Sequence, residues 1–483
     1  MNGQIAGKQK GNMLNSIKEF FSSKYFPFMT AVISLLCYYL GLDIVFIYYV
    51  GIAGLIILLT SEDMSPMITL LLFMCVLVSY ENSPSNLSGN SDYYFSPAIL
   101  VQIFIVIGLL SLALFYRLIH TCVRKRFSLS PVFFGLCAFA LMLLCNGLFS
   151  KNYNPKNLIY GLVMALCFLG IFTLLKDNIL NNEDTFERIA LSFFALSIVL
   201  IVELLVVYTA REGWQTGSID RKYLSFGWGM WNTMGMMLLI CLPATFYLAG
   251  KYRYGFIFTL FSALLFIAVW MTTSRQAMLA SLIIYPLCLV ILIINGNNRI
   301  ANLIIVICAI AAIAAVLIVF KDTIFSYIKN HLMNIVENGK LSGSGRVELW
   351  KGGIKYFESA PILGVGFYSN LYKDFLNDFS GFSGMSFIPH MCHNTVIQLM
   401  ASCGISGLLA YFIHRVQTVI SLFKNLNYNR AFIGVTILTI IGLSLVDNHI
   451  FNIFPTIIYS SLVAVLIASE KKDKTLVNRT FTN

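Results

Sequence analysis

Residues 189–209 read IALSFFALSIVLIVELLVVYT, a stretch whose only charge is Glu203. At 1.5 Å rise per residue, about 20 such residues in a helix cross a hydrocarbon core of roughly 30 Å. Runs of this kind recur along the chain, at about 27–41, 43–60, 65–80, 98–116, 131–149, 157–175, 189–209, 229–249, 255–272, 276–294, 300–320, 393–413, 431–447 and 452–469. Hydrophobic residues make up 58% of the chain and charged residues 11%, with a mean hydropathy of +0.79, against about 25% charged in soluble domains. A backbone in lipid must satisfy its own polar groups, and runs of this length do so as helices. The expected fold class is all-α: a polytopic integral membrane bundle of about 12–14 transmembrane helices with one extracytoplasmic helical loop.

The breaks between runs set an orientation. RLIHTCVRKRF (117–127), KDNILNNEDTFER (176–188), GKYRYG, GNNR, HRVQTVISLFKNLNYNR (414–430) and EKKDKTLVNR all carry Lys or Arg, whereas ENSPSNLSGNSDYYF (81–95) carries neither. The positive-inside bias then puts the Lys-bearing first residues and the last residues in the cytoplasm. The expected organisation is a cytoplasmic tail with an interfacial helix (1–26), a transmembrane bundle (27–320), a large extracytoplasmic loop with an amphipathic helix (321–392), C-terminal transmembrane helices (393–469) and a cytoplasmic tail (470–483). No cleaved signal peptide is read in the first 25 residues. Most of the eleven cysteines lie inside apolar runs, where a thiol behaves as a small hydrophobe. The net charge of +11 is spread over many loops, which points to anionic lipid and an anionic substrate rather than nucleic acid.

On this topology Arg211, Arg221, Arg275, Arg346, His390, His393, Asp447 and His449 all face outside. Arginine on the translocated side runs against the general bias, so a cluster there reads as a site for negative charge. Arg275, in VWMTTSRQAMLASLIIY, sits at a span boundary among hydroxyls that could cradle phosphate, although a lipid anchor fits it as well. Arg221 precedes a span that begins with Trp231 and Asn232. Arg346 opens a helix whose Val347, Trp350, Ile354 and Phe357 share a face. Arg211 fits an end-of-helix charge. Glu203, buried in its span, needs a partner, and an arginine on the outer side is the expected one.

The stretch PHMCHNTVIQLMASCGI (389–405) places two of the chain's six histidines at the start of an apolar helix. An imidazole kept neutral by surrounding positive charge is poised as a general base. A capping or core histidine is the ordinary alternative, and a metal site built from His390, Cys392, His393 and His449 is another, with weak spacing. Asn394 is placed to satisfy first-turn N–H groups. The chain has no GxGxxG, P-loop, CxxC or HExxH.

Taken in order, RVELWKGGIKYFESAPILGVGF (346–367), HNTVIQLMASCGISGLLAYF (393–412), SRQAML and GMWNTMGMMLLICLP resemble the C-terminal signature of the O-antigen ligase and O-antigen polymerase (Wzy-type) superfamily. The resemblance covers about residues 220–415. It implies metal-independent, cofactor-free glycosyl transfer on the outer face of the cytoplasmic membrane, from an undecaprenyl-pyrophosphate-linked oligosaccharide to a glycan acceptor. His393 then matches the base, Arg275 and Arg221 the pyrophosphate grip, and Arg346 the loop-helix arginine. Arg211 is a further anion contact, and Glu203, Asn232, Asn394 and His390 are supporting residues. The second imidazole, His390, departs from the family pattern, and both histidines stay candidates for the base. Joining of repeat units is the leading reading, ligation of a finished glycan the alternative, and a lipid-linked oligosaccharide transporter the rival of another class. A chain-length regulator is a further implied partner.

Overall fold

The computed structural model describes residues 15–74, 96–124, 127–151, 153–216, 221–224, 231–296, 299–300, 302–304, 307, 346–368, 391–424 and 426–470. Among these residues there are helices and turns and no strand. Eight helices are long and apolar enough to cross a membrane, and Asn15–Phe21 with Phe26–Cys37, bent by 76°, makes a ninth if counted as one span. Pro131–Cys145, Phe256–Met271 and Ile453–Ala468 are shorter apolar helices. The expected spans at 65–80 and 300–320 run into residues outside the described set, beyond Met74 in one case and almost throughout in the other. The all-α, polytopic membrane architecture is therefore established.

In chain order the helices are α1 (Phe26–Leu40), α2 (Asp43–Thr60), α3 (Ser65–Phe73), α4 (Pro97–Val123), α5 (Pro131–Cys145), α6 (Lys156–Lys176), α7 (Glu183–Ala210), α8 (Trp231–Lys251), α9 (Phe256–Met271), α10 (Arg275–Asn295), α11 (Arg346–Ser359), α12 (Thr395–Phe423), α13 (Tyr428–Val446) and α14 (Ile453–Ala468). The axis of the bundle is α8, which packs on α7, α9, α10 and α13. Lipid tails are as apolar as Leu, so helices in a membrane associate through close packing at small residues. Gly235 of α8 is such a place: a Cβ there would lie 2.8 Å from the Cβ atoms of Ala277 and Ser274. The close approach brings the start of α8 against the turn that opens α10.

A second device sits in α12, whose ladder is broken at Gly404 (φ 64°, ψ −164°). Within a membrane the freed backbone groups must find partners. The loop after α11 supplies them. Ile405 N donates to Pro361 O (2.8 Å), Ser406 N to Ile362 O (3.3 Å), Val365 N to Ala401 O (2.8 Å) and Gly366 N to Ser402 O (3.0 Å). Gly364 (φ 71°) and Gly366 (φ 85°) give the loop its tight turn. Val365 and Phe367 are buried, so this part of the 321–392 segment is embedded in the bundle.

Two details differ from the sequence reading. First, α11 lies against α12 with Gly353 facing Ile397, and its neighbour Gly352 is buried too, while Ile354 is exposed. Two adjacent glycines let the backbones meet, a contact that counting apolar side chains does not see. Second, the span expected to stop at residue 413 continues to Phe423, and His414 and Arg415 are buried inside it. Arg415 lies between the rings of Tyr411 (4.4 Å) and Tyr459 (4.1 Å), and His414 Nε2 is 2.8 Å from the Tyr459 hydroxyl. Aromatic faces shelter a guanidinium from lipid; hydropathy scores the same residue as a stop.

Candidate active site

The starts of α8, α10, α11 and α12 meet the end of α13 at one end of the bundle. Three local features put side chains there. The turn Thr272–Ser274 follows α9, with Thr273 at φ 55° and Ser274 as the N-cap of α10. His393 stands at φ 50° just before Asn394, whose Oδ1 accepts from Val396 N (2.9 Å) and Ile397 N (3.1 Å) and so caps α12. Glu212, at the end of α7, has φ 55°. Among the described residues these are the only non-glycine positions with positive φ. Tyr208 OH donating to Met271 O (2.6 Å) ties the end of α7 to the 272–274 turn. Left-handed backbone at a β-branched residue costs about 1–3 kcal/mol, and such strain gathers at functional sites.

Asp447, the residue after α13, is the hub. Its Oδ1 lies 2.8 Å from His393 Nδ1 and accepts from Asn448 N (2.9 Å). Its Oδ2 accepts from Asn232 Nδ2 (2.9 Å) and Gln276 Nε2 (3.4 Å), with Arg346 Nη2 at 3.8 Å. Burial alone would raise the Asp447 carboxyl; the His393 hydrogen bond and, after it, the neighbouring His449, His393 and Arg346 groups outweigh it and hold the carboxyl well below the usual carboxylate range. Burial pushes the His449 ring down, an effect that neighbouring positive charge reinforces and the Asp447 carboxylate opposes.

The ionised carboxylate can only accept, so His393 Nδ1 is the donor of this bond and Nε2 is the ring nitrogen turned away from Asp447. The His393 side chain is 37% exposed, and Nε2 has no partner among the described residues. This is how a positioned base is built: one ring nitrogen fixed, the other presented.

Behind the hub lies a further set of hydrogen bonds. Ser274 Oγ donates to Asn232 Oδ1 (3.1 Å), and Gln276 Nε2 is 2.7 Å from His449 Nε2. Gln398 Oε1 accepts from Cys392 N (2.7 Å) and Asn448 Nδ2 (2.9 Å), holding the strand of chain before His393 against the turn after α13. Arg346 Nη1 donates to Val446 O (3.1 Å), which anchors the start of α11 to the same turn.

Of the residues expected at the site, His393, Asn232 and Arg346 converge on Asp447 and Asn394 caps the adjoining helix. Arg275 is the first residue of α10, exposed, with no side-chain partner among the described residues. Arg211 caps α7 and stacks on Tyr223 at 3.9 Å, in the turn Arg221–Leu224. The side chain of Arg221 and the whole of His390 lie outside the described residues. Glu203 is fully buried in α7, away from the hydrogen bonds described for Asp447. The sequence reading puts Asp447 and His449 on the outer face, with His449 only in the alternative metal site, and gives Gln276 no role. The signal for Asp447 and His449 is VDNHIF (446–451), an acid and an imidazole two residues apart directly after a span. Among the described residues no three His, Cys, Asp or Glu side chains group as metal ligands.

The family model described as O-antigen ligase matches residues 260–412. That segment holds Arg275, Arg346, the Pro361–Gly366 loop, His393 and Gly404, while Asn232 and Asp447 flank it. No curated protein matches the chain. Over residues 260–412 the chain thus carries the domain of the O-antigen ligase and polymerase superfamily, whose members are membrane enzymes that transfer glycans.

Proposed function

We propose that the chain joins the repeat units of a surface polysaccharide by metal-independent, inverting glycosyl transfer, on the outer face of the cytoplasmic membrane, from an undecaprenyl-pyrophosphate-linked oligosaccharide to a sugar hydroxyl. The observation that carries this reading is the 2.8 Å bond between His393 Nδ1 and Asp447 Oδ1, which turns Nε2 away from the network at the end of the bundle where the exposed Arg275 opens α10.

In the reaction the acceptor oxygen attacks the anomeric carbon while its proton passes to His393 Nε2. The bond from that carbon to the pyrophosphate oxygen breaks, and undecaprenyl pyrophosphate leaves with the electron pair. Pyrophosphate is already a competent leaving group, so the protein's work is to neutralise the charge that grows on it and to remove one proton. Arg275 and Arg346 are the guanidinium groups nearest in the chain fold to the Asp447 network for the first task, joined by Arg211 at the end of α7 and Arg221 in the turn that follows. A single displacement inverts the anomeric centre.

Ligation of a finished glycan is the second reading, favoured by the description of the matching family as O-antigen ligase. The two leave different residues in a cell lacking the protein: single lipid-linked repeats accumulate if it polymerises, long lipid-linked chains if it ligates. The direct test is the purified full chain in vesicles with a lipid-linked repeat. Lengthened lipid-linked glycan with equimolar release of undecaprenyl pyrophosphate is expected. Movement of the lipid-linked repeat across the vesicle wall with no new glycosidic bond would replace this reading with transport.

A further inference from the structure

At the end of the bundle remote from His393, a cleft of ≈ 160 Å³ opens between the C-terminal ends of α2 and α4, the helix Asn15–Phe21 and the turn after α6. Its ionisable lining is Lys18, Arg117, His120 and Arg124 against the single carboxylate of Glu62. The transfer chemistry uses none of these groups. Arg117 is held in place: Nη2 donates to Glu62 O (3.1 Å) and to Asn178 Oδ1 (3.2 Å). Arg124 is exposed and Lys18 half-exposed, so both can turn toward a ligand.

The outer wall of the cleft is unusual. Only 6% of the apolar window of α4 is buried, and Leu112, Phe115, Tyr116, Ile119 and Val123 form an exposed stripe at spacings of three and four. The cleft residues Arg117, His120, Thr121 and Arg124 form the adjoining stripe. Tyr116 and His120 stack at 6.1 Å on the seam between the two. A basic pocket therefore opens beside a helix face that is exposed and apolar among the described residues.

We infer that this cleft binds the phosphate of an anionic membrane lipid, with the headgroup among Lys18, Arg117, His120 and Arg124 and the acyl chains along the exposed stripe of α4. Cavity size agrees, because the space is below the roughly 300–1,000 Å³ that encloses a whole drug-sized ligand and suits a headgroup alone. Clusters of Lys and Arg at the membrane boundary attract anionic lipid and gain affinity with each cation. The inference does not depend on the transfer reaction at the other end.

The test is native mass spectrometry of the full chain in detergent with phosphatidylglycerol or phosphatidylcholine, paired with thermal unfolding. Wild type should retain one phosphatidylglycerol in preference to phosphatidylcholine and unfold at higher temperature with it. The double variant Lys18→Gln/Arg124→Gln should bind that lipid about thirtyfold more weakly. Both positions are at the surface, and each single substitution gives the same reading at smaller size should the double variant unfold. Equal retention of phosphatidylglycerol by wild type and variants, or equal retention of the two lipids by wild type, would overturn the inference. Inorganic phosphate alone producing the same thermal shift would replace a lipid site with a free-anion site.

Discussion

The two ends of the bundle hold similar residues and treat them oppositely. Asn232 and Lys251 open and close α8, so 19 residues, about 28 Å, separate the ends. At the Lys251 end the central charges are matched. Glu187, nearly inaccessible, is held by Lys24, by Lys251 (3.1 Å) and by the Tyr252 hydroxyl, and Arg188 closes on Asp63. Across the bundle, Asp447 gathers His393, Asn232, Gln276 and Arg346, yet His393 Nε2 and the Arg275 guanidinium have no partner among the described residues. Charges that hold a fold together are consumed by their partners. Charges kept for a ligand are fixed from behind and left vacant in front.

Substitutions at the two ends should therefore differ in kind. Asp447→Asn should cut the transfer rate about tenfold to hundredfold, a large part of what a positioned base supplies, because an amide can donate as well as accept and no longer fixes the His393 tautomer. A steady-state transfer assay measures it, and an unchanged rate would break the comparison. The same variant carries a pH signature. Asp447 has a folded pKa below its unfolded value of about 3.9, so its contribution to stability is present above that value and is lost only as pH falls through the lowered one. The gap in unfolding temperature between wild type and Asp447→Asn should hold from pH 7 to about 5 and close in stronger acid.

Arg275→Ala should lower kcat/KM about tenfold to hundredfold with little change in unfolding temperature, since the guanidinium touches nothing else among the described residues. Arg275→Lys should recover part of the loss. If Arg275→Ala instead unfolds the protein, the residue belongs with the structural charges. Gly404→Ala should cost at least about 1–3 kcal/mol, because φ 64° with ψ −164° is a backbone region essentially reserved to glycine, besides driving a Cβ to 2.7 Å from Pro361 O. Thermal unfolding in detergent checks it, and a neutral result would show that the loop does not plug the break. The smallest effect belongs to the far end: Lys251→Ala should cost under about 1 kcal/mol, because Lys24 and Tyr252 still hold Glu187, and should leave transfer unchanged.

The spans were legible because lipid imposes one solution on a long apolar run, and Asp43–Thr60 and Pro131–Cys145 begin where composition changes. Arg415 was not, because the rings that shelter it belong partly to α14, 44 residues onward. At the site, His393 could be found from its place at a helix start. Asp447 could not be joined to it, since nothing local says that the end of α13 meets the start of α12. Glu203 shows the converse: an isolated acid in a span invites a partner, but which helix supplies it is a matter of packing.

The central claim is that His393, fixed by Asp447, takes the acceptor's proton while the arginines at its end of the bundle hold the donor. Its most direct test is the single-turnover transfer rate of His393→Ala in vesicles, measured beside its affinity for the lipid-linked donor. The account predicts a rate lowered about 10²–10⁴-fold with donor affinity within about twofold of wild type. Full-rate transfer by His393→Ala would contradict it, and so would a loss of donor binding equal to the loss of rate.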